Sequence, residues 1–155
     1  RPRDYTGGCW ITLETIASFW FVGIFTPELW TMPAESTLIP LCRSTDLQEC
    51  GLAVSFDVEY QGQSCWAFAV RFHGQAHAYL NRCSHVAMEM DFQPNRFFDP
   101  TGQWLISATH GALYAPDTGR CMNGPCRGAL VKIALSEQGG MVGWHTTSQL
   151  LLQAF

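Results

Sequence analysis

Between residues 54 and 60 apolar and polar side chains alternate. Val54, Phe56, Val58 and Tyr60 are interleaved with Ser55, Asp57 and Glu59, the period-2 signature of a strand with one face in a core. A second alternation, Trp66, Phe68, Val70 and Phe72, predicts a strand over residues 65–72, and residues 62–64 between the two supply hairpin-turn chemistry. His73-Gly74 then predicts a turn into a strand over residues 76–80. Further turn signals at Pro100-Thr101-Gly102, Pro116-Asp117-Thr118-Gly119 and Gln138-Gly139-Gly140 flank strand-like pieces at 104–106, 129–134 and 141–145. A short helical turn is expected over 44–50, and the tail 146–155 reads as a short helix or as disordered. Strands this short and this closely punctuated predict an antiparallel all-β domain.

The first 31 residues do not share this style. They hold three of the six tryptophans (Trp10, Trp20, Trp30) and an apolar run, residues 16–25, shorter than the roughly 18 residues of a membrane span. Asp4 and Glu14 break the pattern of a secretory signal, and no small-residue cleavage site follows. The expected organisation is therefore a non-domain extension over residues 1–31 and one domain over residues 32–155, with Met32 as the translation start. A short membrane-surface helix over 16–25 is the alternative.

Composition narrows the function classes. With 155 residues, 47% hydrophobic and 14% charged, the chain is sized and composed for one folded domain. Nine Lys and Arg against thirteen Asp and Glu, a formal net charge of −4, argue against a nucleic-acid partner, which would need clustered cations. Seven cysteines are odd in number and dilute, which points to metal ligation or ordinary burial and to a reducing, cytoplasmic setting. On that basis Cys42, Cys50 and Cys65 read as buried small apolar groups and Met88 and Met90 as packing residues. His73, His77 and His145 read as surface or turn histidines, and Glu89 and Asp91 as a solvated rim able to orient a basic partner.

The candidate chemistry lies in two loops. The first carries Cys83-Ser84-His85, a thiol and an imidazole two residues apart; the second carries Ser107-Ala108-Thr109-His110-Gly111, followed by Thr118-Gly119 and Gly124-Pro125-Cys126. Together these resemble the C-x-H and C-x-x-H-G loops of the Rieske iron–sulfur domain, over about residues 38–145, and most closely its small ferredoxin branch. The resemblance implies a Rieske-like antiparallel β-sandwich with a cluster-binding subdomain formed by two loops. It also implies a [2Fe–2S] cluster held by two thiolates on one iron and two imidazoles on the other. Carried onto this chain, Cys83, His85 and His110 take ligand positions, and Ser107 stands where the family has its second Cys.

A serine hydroxyl has a far higher pKa than a thiol and offers a hard oxygen to iron that favours sulfur, so Ser107 implies weaker cluster retention and a lower reduction potential. Cys121 and Cys126 are expected near the site, where they could rescue or compete with the ligands. Met88 and Thr109 occupy the positions at which respiratory members carry an additional disulfide. The resemblance further implies single-electron transfer between a reductase and a terminal oxygenase or similar redox protein, an electron-transfer component more than a stand-alone catalyst. Gly124-Pro125 is similar to the family's proline loop over the cluster. Two other readings stay open: a degenerate Rieske fold without a cluster, serving as a binding or structural module, and a mononuclear zinc site using Cys83, His85 and His110 with water or Ser107.

Overall fold

The computed structural model describes residues 36–154, so the readings made for residues 1–31 fall outside the described residues. In chain order the strands are β1 (Leu38–Arg43), β2 (Val54–Tyr60), β3 (Gln63–Phe72), β4 (Gln75–Leu80), β5 (Leu105–Ile106), β6 (Leu113–Tyr114), β7 (Cys121–Asn123), β8 (Lys132–Ile133), β9 (Leu135–Gln138), β10 (Met141–His145) and β11 (Leu150–Leu152). They pair antiparallel in three sheets ordered β1-β10-β9, β11-β2-β3-β4-β8 and β5-β6-β7. The fold is all-β, as the alternation predicts.

The central sheet is buried on both faces. Because strand side chains alternate, Ala67 and Ala69 of β3 and Ala78 and Leu80 of β4 join one core with Val58, Ile133, Val142 and Trp144, between the five-stranded sheet and β1-β10-β9. Phe68 and Val70 of β3 and Tyr79 of β4 point the other way, into a second core with Met90, Phe97, Leu105, Ala112 and Tyr114. This second core carries the two candidate loops. Phe68 stacks on Phe97 with ring centroids 3.7 Å apart, tying the chain that follows the first loop to the sheet. The small residues on the first face keep that side thin, while the large ones on the second reach across to the loops.

Two hairpins set the register. Gln61-Gly62 (φ +50° and +75°) and His73-Gly74 (φ +50° and +75°) are both left-handed pairs, the backbone of the turn that matches strand twist. The first turn thus sits one residue earlier than residues 62–64, and β3 starts at Gln63. A third left-handed glycine matters more to the site. At Gly119 (φ +72°) a Cβ would lie 2.6 Å from Tyr79 Cε1. Tyr79 is fully buried and its hydroxyl donates to the Pro116 carbonyl at 2.8 Å, so it cannot yield. Gly119→Ala is expected to destabilise the fold by about 3 kcal/mol, from overpacking plus the left-handed backbone, read as a lowered midpoint in urea. An unchanged midpoint would show that the ring has room to move.

Several sequence expectations are corrected. The helical turn is a single 3-10 turn, Ser44–Asp46, and residues 146–155 are neither helix nor disordered through 150–152, where β11 pairs with β2 and buries Leu150. His77 is buried in β4, where desolvation holds its pKa below the ordinary imidazole value, and His145 lies in β10 with Nε2 2.6 Å from Ser136 Oγ. Cys42, Cys50 and Cys65 are only half-buried, and Met88 is exposed while Met90 is fully buried. For β11, His77 and His145 the origin is non-local: strand partners far along the chain decide which positions are covered.

Candidate metal centre

The first loop leaves β4 at Asn81, a buried polar residue that pins both ends of the loop. Its Oδ1 accepts from the Met90 amide at 2.8 Å, and its Nδ2 donates to Asp91 Oδ1 at 2.7 Å. Asp91 Oδ2 in turn accepts from the Asn95 amide at 3.1 Å, so Asp91 is an internal brace and not the solvated rim its charge suggested. Glu89 does stay exposed. Inside the loop the Cys83 amide donates to the Met88 carbonyl at 2.9 Å, which buries Cys83 while residues 84–89 stay exposed.

The second loop joins β5 to β6. The Ser107 amide donates to the Ala112 carbonyl at 2.9 Å and the Gly111 amide to the Ser107 carbonyl at 2.8 Å, a tight turn that Gly111 permits with φ +68°. The Ala108 amide donates to the Met90 carbonyl at 2.9 Å, stitching this loop to the end of the first. The four sequence candidates are thereby brought together in two pairs.

On one side are Cys83 and Ser107. Burial works against the Cys83 thiolate. The Tyr114 hydroxyl, the backbone amides of His85 and Val86 and the Ser107 hydroxyl outweigh it, so the thiol is held below its ordinary value. Tyr114 Oη is 3.1 Å from Cys83 Sγ and 3.0 Å from Ser84 Oγ, and accepts from the Ser84 amide at 3.2 Å. Burial pushes the Tyr114 phenol up, so it stays a hydrogen-bond donor. The Ser107 hydroxyl faces Cys83 closely enough to favour the thiolate, but its geometry makes no hydrogen bond, and Oγ is buried without a partner.

On the other side are the two imidazoles. The rings of His85 and His110 stand edge to face with centroids 5.1 Å apart; His85 is exposed and His110 half-buried. His110 Nδ1 is buried with no hydrogen-bond partner. Two orphaned polar atoms in one small site, one in each pair, are what a bound group would satisfy, since buried polar atoms are otherwise almost always paired. The donor set of one low-pKa thiol, one hydroxyl and two imidazoles fits two metal ions shared between pairs. Among the described residues no three His, Cys, Asp or Glu side chains gather as a single ion would require.

Sequence reading missed four contributors. Tyr114 and Ser84 sit inside quoted motifs but carry no spacing signal of their own, while Asn81 and Asp91 flank the first loop and could have been suspected as its polar braces. Cys121 and Cys126 are paired in a disulfide, Cα atoms 5.8 Å apart across the Gly124 turn, so neither is a free donor able to rescue or compete.

Comparison with known proteins follows the same lines. Residues 37–134 match the family model described as the Rieske [2Fe-2S] domain. No curated protein matches the chain. Among solved structures, the ferredoxin of carbazole 1,9a-dioxygenase from Nocardioides aromaticivorans IC177 superposes with a TM-score of 0.56 at 21% identity, covering 70% of this chain and 97% of that one. A Sphingomonas yanoikuyae B1 ferredoxin gives 0.53 at 18% identity, with 68% and 95% covered. The terminal oxygenase of carbazole 1,9a-dioxygenase from Novosphingobium sp. KA1 gives 0.52 at 20% identity, covering 72% of this chain but 30% of that one. At these identities the likeness establishes the fold.

Proposed function

The chain belongs to the Rieske [2Fe-2S] domain family, and from that premise we propose that it is a Rieske-type ferredoxin that passes single electrons from a reductase to a terminal oxygenase or a similar redox protein. The observation that carries this reading is the pairing of Cys83 with Ser107 and of His85 with His110, with Ser107 Oγ and His110 Nδ1 buried and unsatisfied. In this reading the domain is residues 32–155, Cys83 and Ser107 hold one iron, and His85 and His110 hold the other. The bound [2Fe–2S] group supplies a one-electron couple. Supporting evidence is that the fold covers 97% of a ferredoxin but only 30% of a terminal oxygenase.

The chain's own residues then have definite tasks. Burial of Cys83 and Ser107 keeps water from the sulfur side, and the Tyr114 hydroxyl steadies negative charge on Cys83 Sγ. The exposed His85 ring presents the site to a partner. Among the described residues no helix is long and apolar enough to cross a membrane.

The test is an absorption spectrum with iron and acid-labile sulfide assays on anaerobically purified protein, followed by electron delivery from a reductase. About two irons and two sulfides per chain with one-electron reduction support the proposal. A colourless chain that takes up neither iron nor sulfide on reconstitution overturns it in favour of a degenerate Rieske module, a second reading that the Ser107 hydroxyl itself favours. A zinc-only product would restore the mononuclear alternative, against which the paired donors stand.

Tyr114→Phe checks the tuning. Loss of the hydroxyl removes a donor that favours the more negative sulfur of the reduced state, and the potential is expected to fall by roughly 40 mV, the equivalent of about 1 kcal/mol in a one-electron couple. Redox titration followed by visible absorption reads it. An unchanged potential would mean that Ser84 alone satisfies the hydroxyl.

A further inference from the structure

The disulfide has no task in the reading above, yet its position is specific. Cys121 lies on β7 and Cys126 at the far end of the exposed residues 122–125, so the bond closes this turn into a small ring. The tip of the ring presses on the second site loop. A Cβ at Gly124 would lie 3.0 Å from Ala112 Cα and 3.2 Å from the Gly111 carbonyl oxygen, both backbone atoms. Those two residues close the turn that holds Ser107, through Ser107 N to Ala112 O at 2.9 Å and Gly111 N to Ser107 O at 2.8 Å. Cys126 packs in the same core as Cys83, Ala112 and Tyr114. The mechanical path from the disulfide to the donors Ser107 and His110 is therefore two backbone contacts long.

We propose that the Cys121–Cys126 disulfide is a reductant-sensitive clamp that positions the second site loop, holding Ser107 and His110 in place while oxidised and releasing them when reduced. The inference bears on the use of the proposed metal centre, but its mechanical part stands without it. In the release step a dithiol reductant, small or protein-borne, transfers two electrons. One of its thiolates attacks Cys121 Sγ, the half-buried sulfur of the pair; its second thiol resolves the mixed disulfide; Cys121 and Cys126 end as thiols and the reductant as a disulfide. Freed of the ring closure, the turn at Gly124-Pro125 regains backbone freedom while β7 stays paired with β6, and the press of Gly124 on Gly111 and Ala112 relaxes. A short ring is an efficient local restraint because it limits few residues, all of them at the contact.

The experiment is amide hydrogen exchange by mass spectrometry on the full chain, before and after treatment with dithiothreitol, with alkylation confirming two new thiols. Exchange in residues 107–112 and 122–125 is expected to rise about tenfold on reduction while β2 and β3 stay protected. Gly124→Ala is expected to raise exchange at 107–112 with the disulfide intact, because the added methyl wedges the same contact. The Cys121→Ser/Cys126→Ser double variant should match the reduced chain and ignore the reductant. On metal-loaded protein, iron release to a chelator should accelerate in parallel. Unchanged exchange at 107–112 after confirmed reduction overturns the clamp, as does a uniform rise over the whole chain, which would mark a plain stabilising cross-link. Finding both cysteines free in the purified protein overturns it as well. Absence of iron would count against the ferredoxin reading alone, since exchange is measured without it.

Discussion

Ser107→Cys is expected to slow iron release by about tenfold or more and to raise iron and sulfide toward two of each per chain. The argument rests on protonation and softness. A hydroxyl must lose a proton at far greater cost than a thiol before it can bind a metal as an anion, and its hard oxygen suits ferric iron in a sulfide-bridged pair less well than sulfur does. The surroundings do not help the Ser107 hydroxyl to lose that proton. Ser107 is fully buried, its Oγ has no partner, and it sits beside a Cys83 thiol whose pKa is lowered, burial being outweighed by the hydrogen bonds around it. The exchange of oxygen for sulfur adds little volume, so the loop bonds of Ser107 to Ala112 and Gly111 should persist. The potential is expected to rise with the same change. An iron-release rate equal to that of the unaltered chain would show that Ser107 is not a donor.

How far the sequence reveals such a site depends on which distances are local. Alternation along β2 and the His73-Gly74 turn are set by neighbours in the chain, and they were legible, as was the Met141–His145 strand to the residue. The two loops were legible because a thiol, a hydroxyl and two imidazoles at short spacing beside glycine resemble a known family. What escaped is non-local. Ala67 and Ala69 carry no apolar-large signal, yet they are buried because β10 packs over them, so the central sheet has two covered faces where the alternation showed one. β11 is a strand only because β2 offers it an edge. Tyr114 reaches Cys83 across 31 positions, and Asp91 looks like a surface acid until Asn81 is seen to need it. The disulfide was readable in principle, since a five-residue separation around a Gly-Pro turn can close, but the odd cysteine count and the reducing setting inferred from it argued the other way.

Cys83→Ala should separate the metal site from the fold more cleanly than any other single change: iron at background level, with only a modest loss of stability. Cys83 is the one thiol among the four proposed donors, so its removal would leave the sulfur side of the site with the Ser107 hydroxyl alone, and the pair could no longer supply a thiolate to an iron held there. The structural cost is small for identifiable reasons. Truncation removes one buried sulfur atom, a cavity comparable to a deleted methyl group, worth about 1 kcal/mol. The Tyr114 hydroxyl keeps its contacts to the Ser84 amide and to Ser84 Oγ, so no new buried polar atom is stranded. The Cys83 amide keeps its bond to Met88, so the loop backbone has no reason to open. A purely structural cysteine would behave in the opposite way, shifting the urea midpoint and leaving the metal content untouched. Iron retained at the level of the unaltered chain would therefore remove Cys83 from the donor set and, with it, the pairing on which the electron-transfer reading rests.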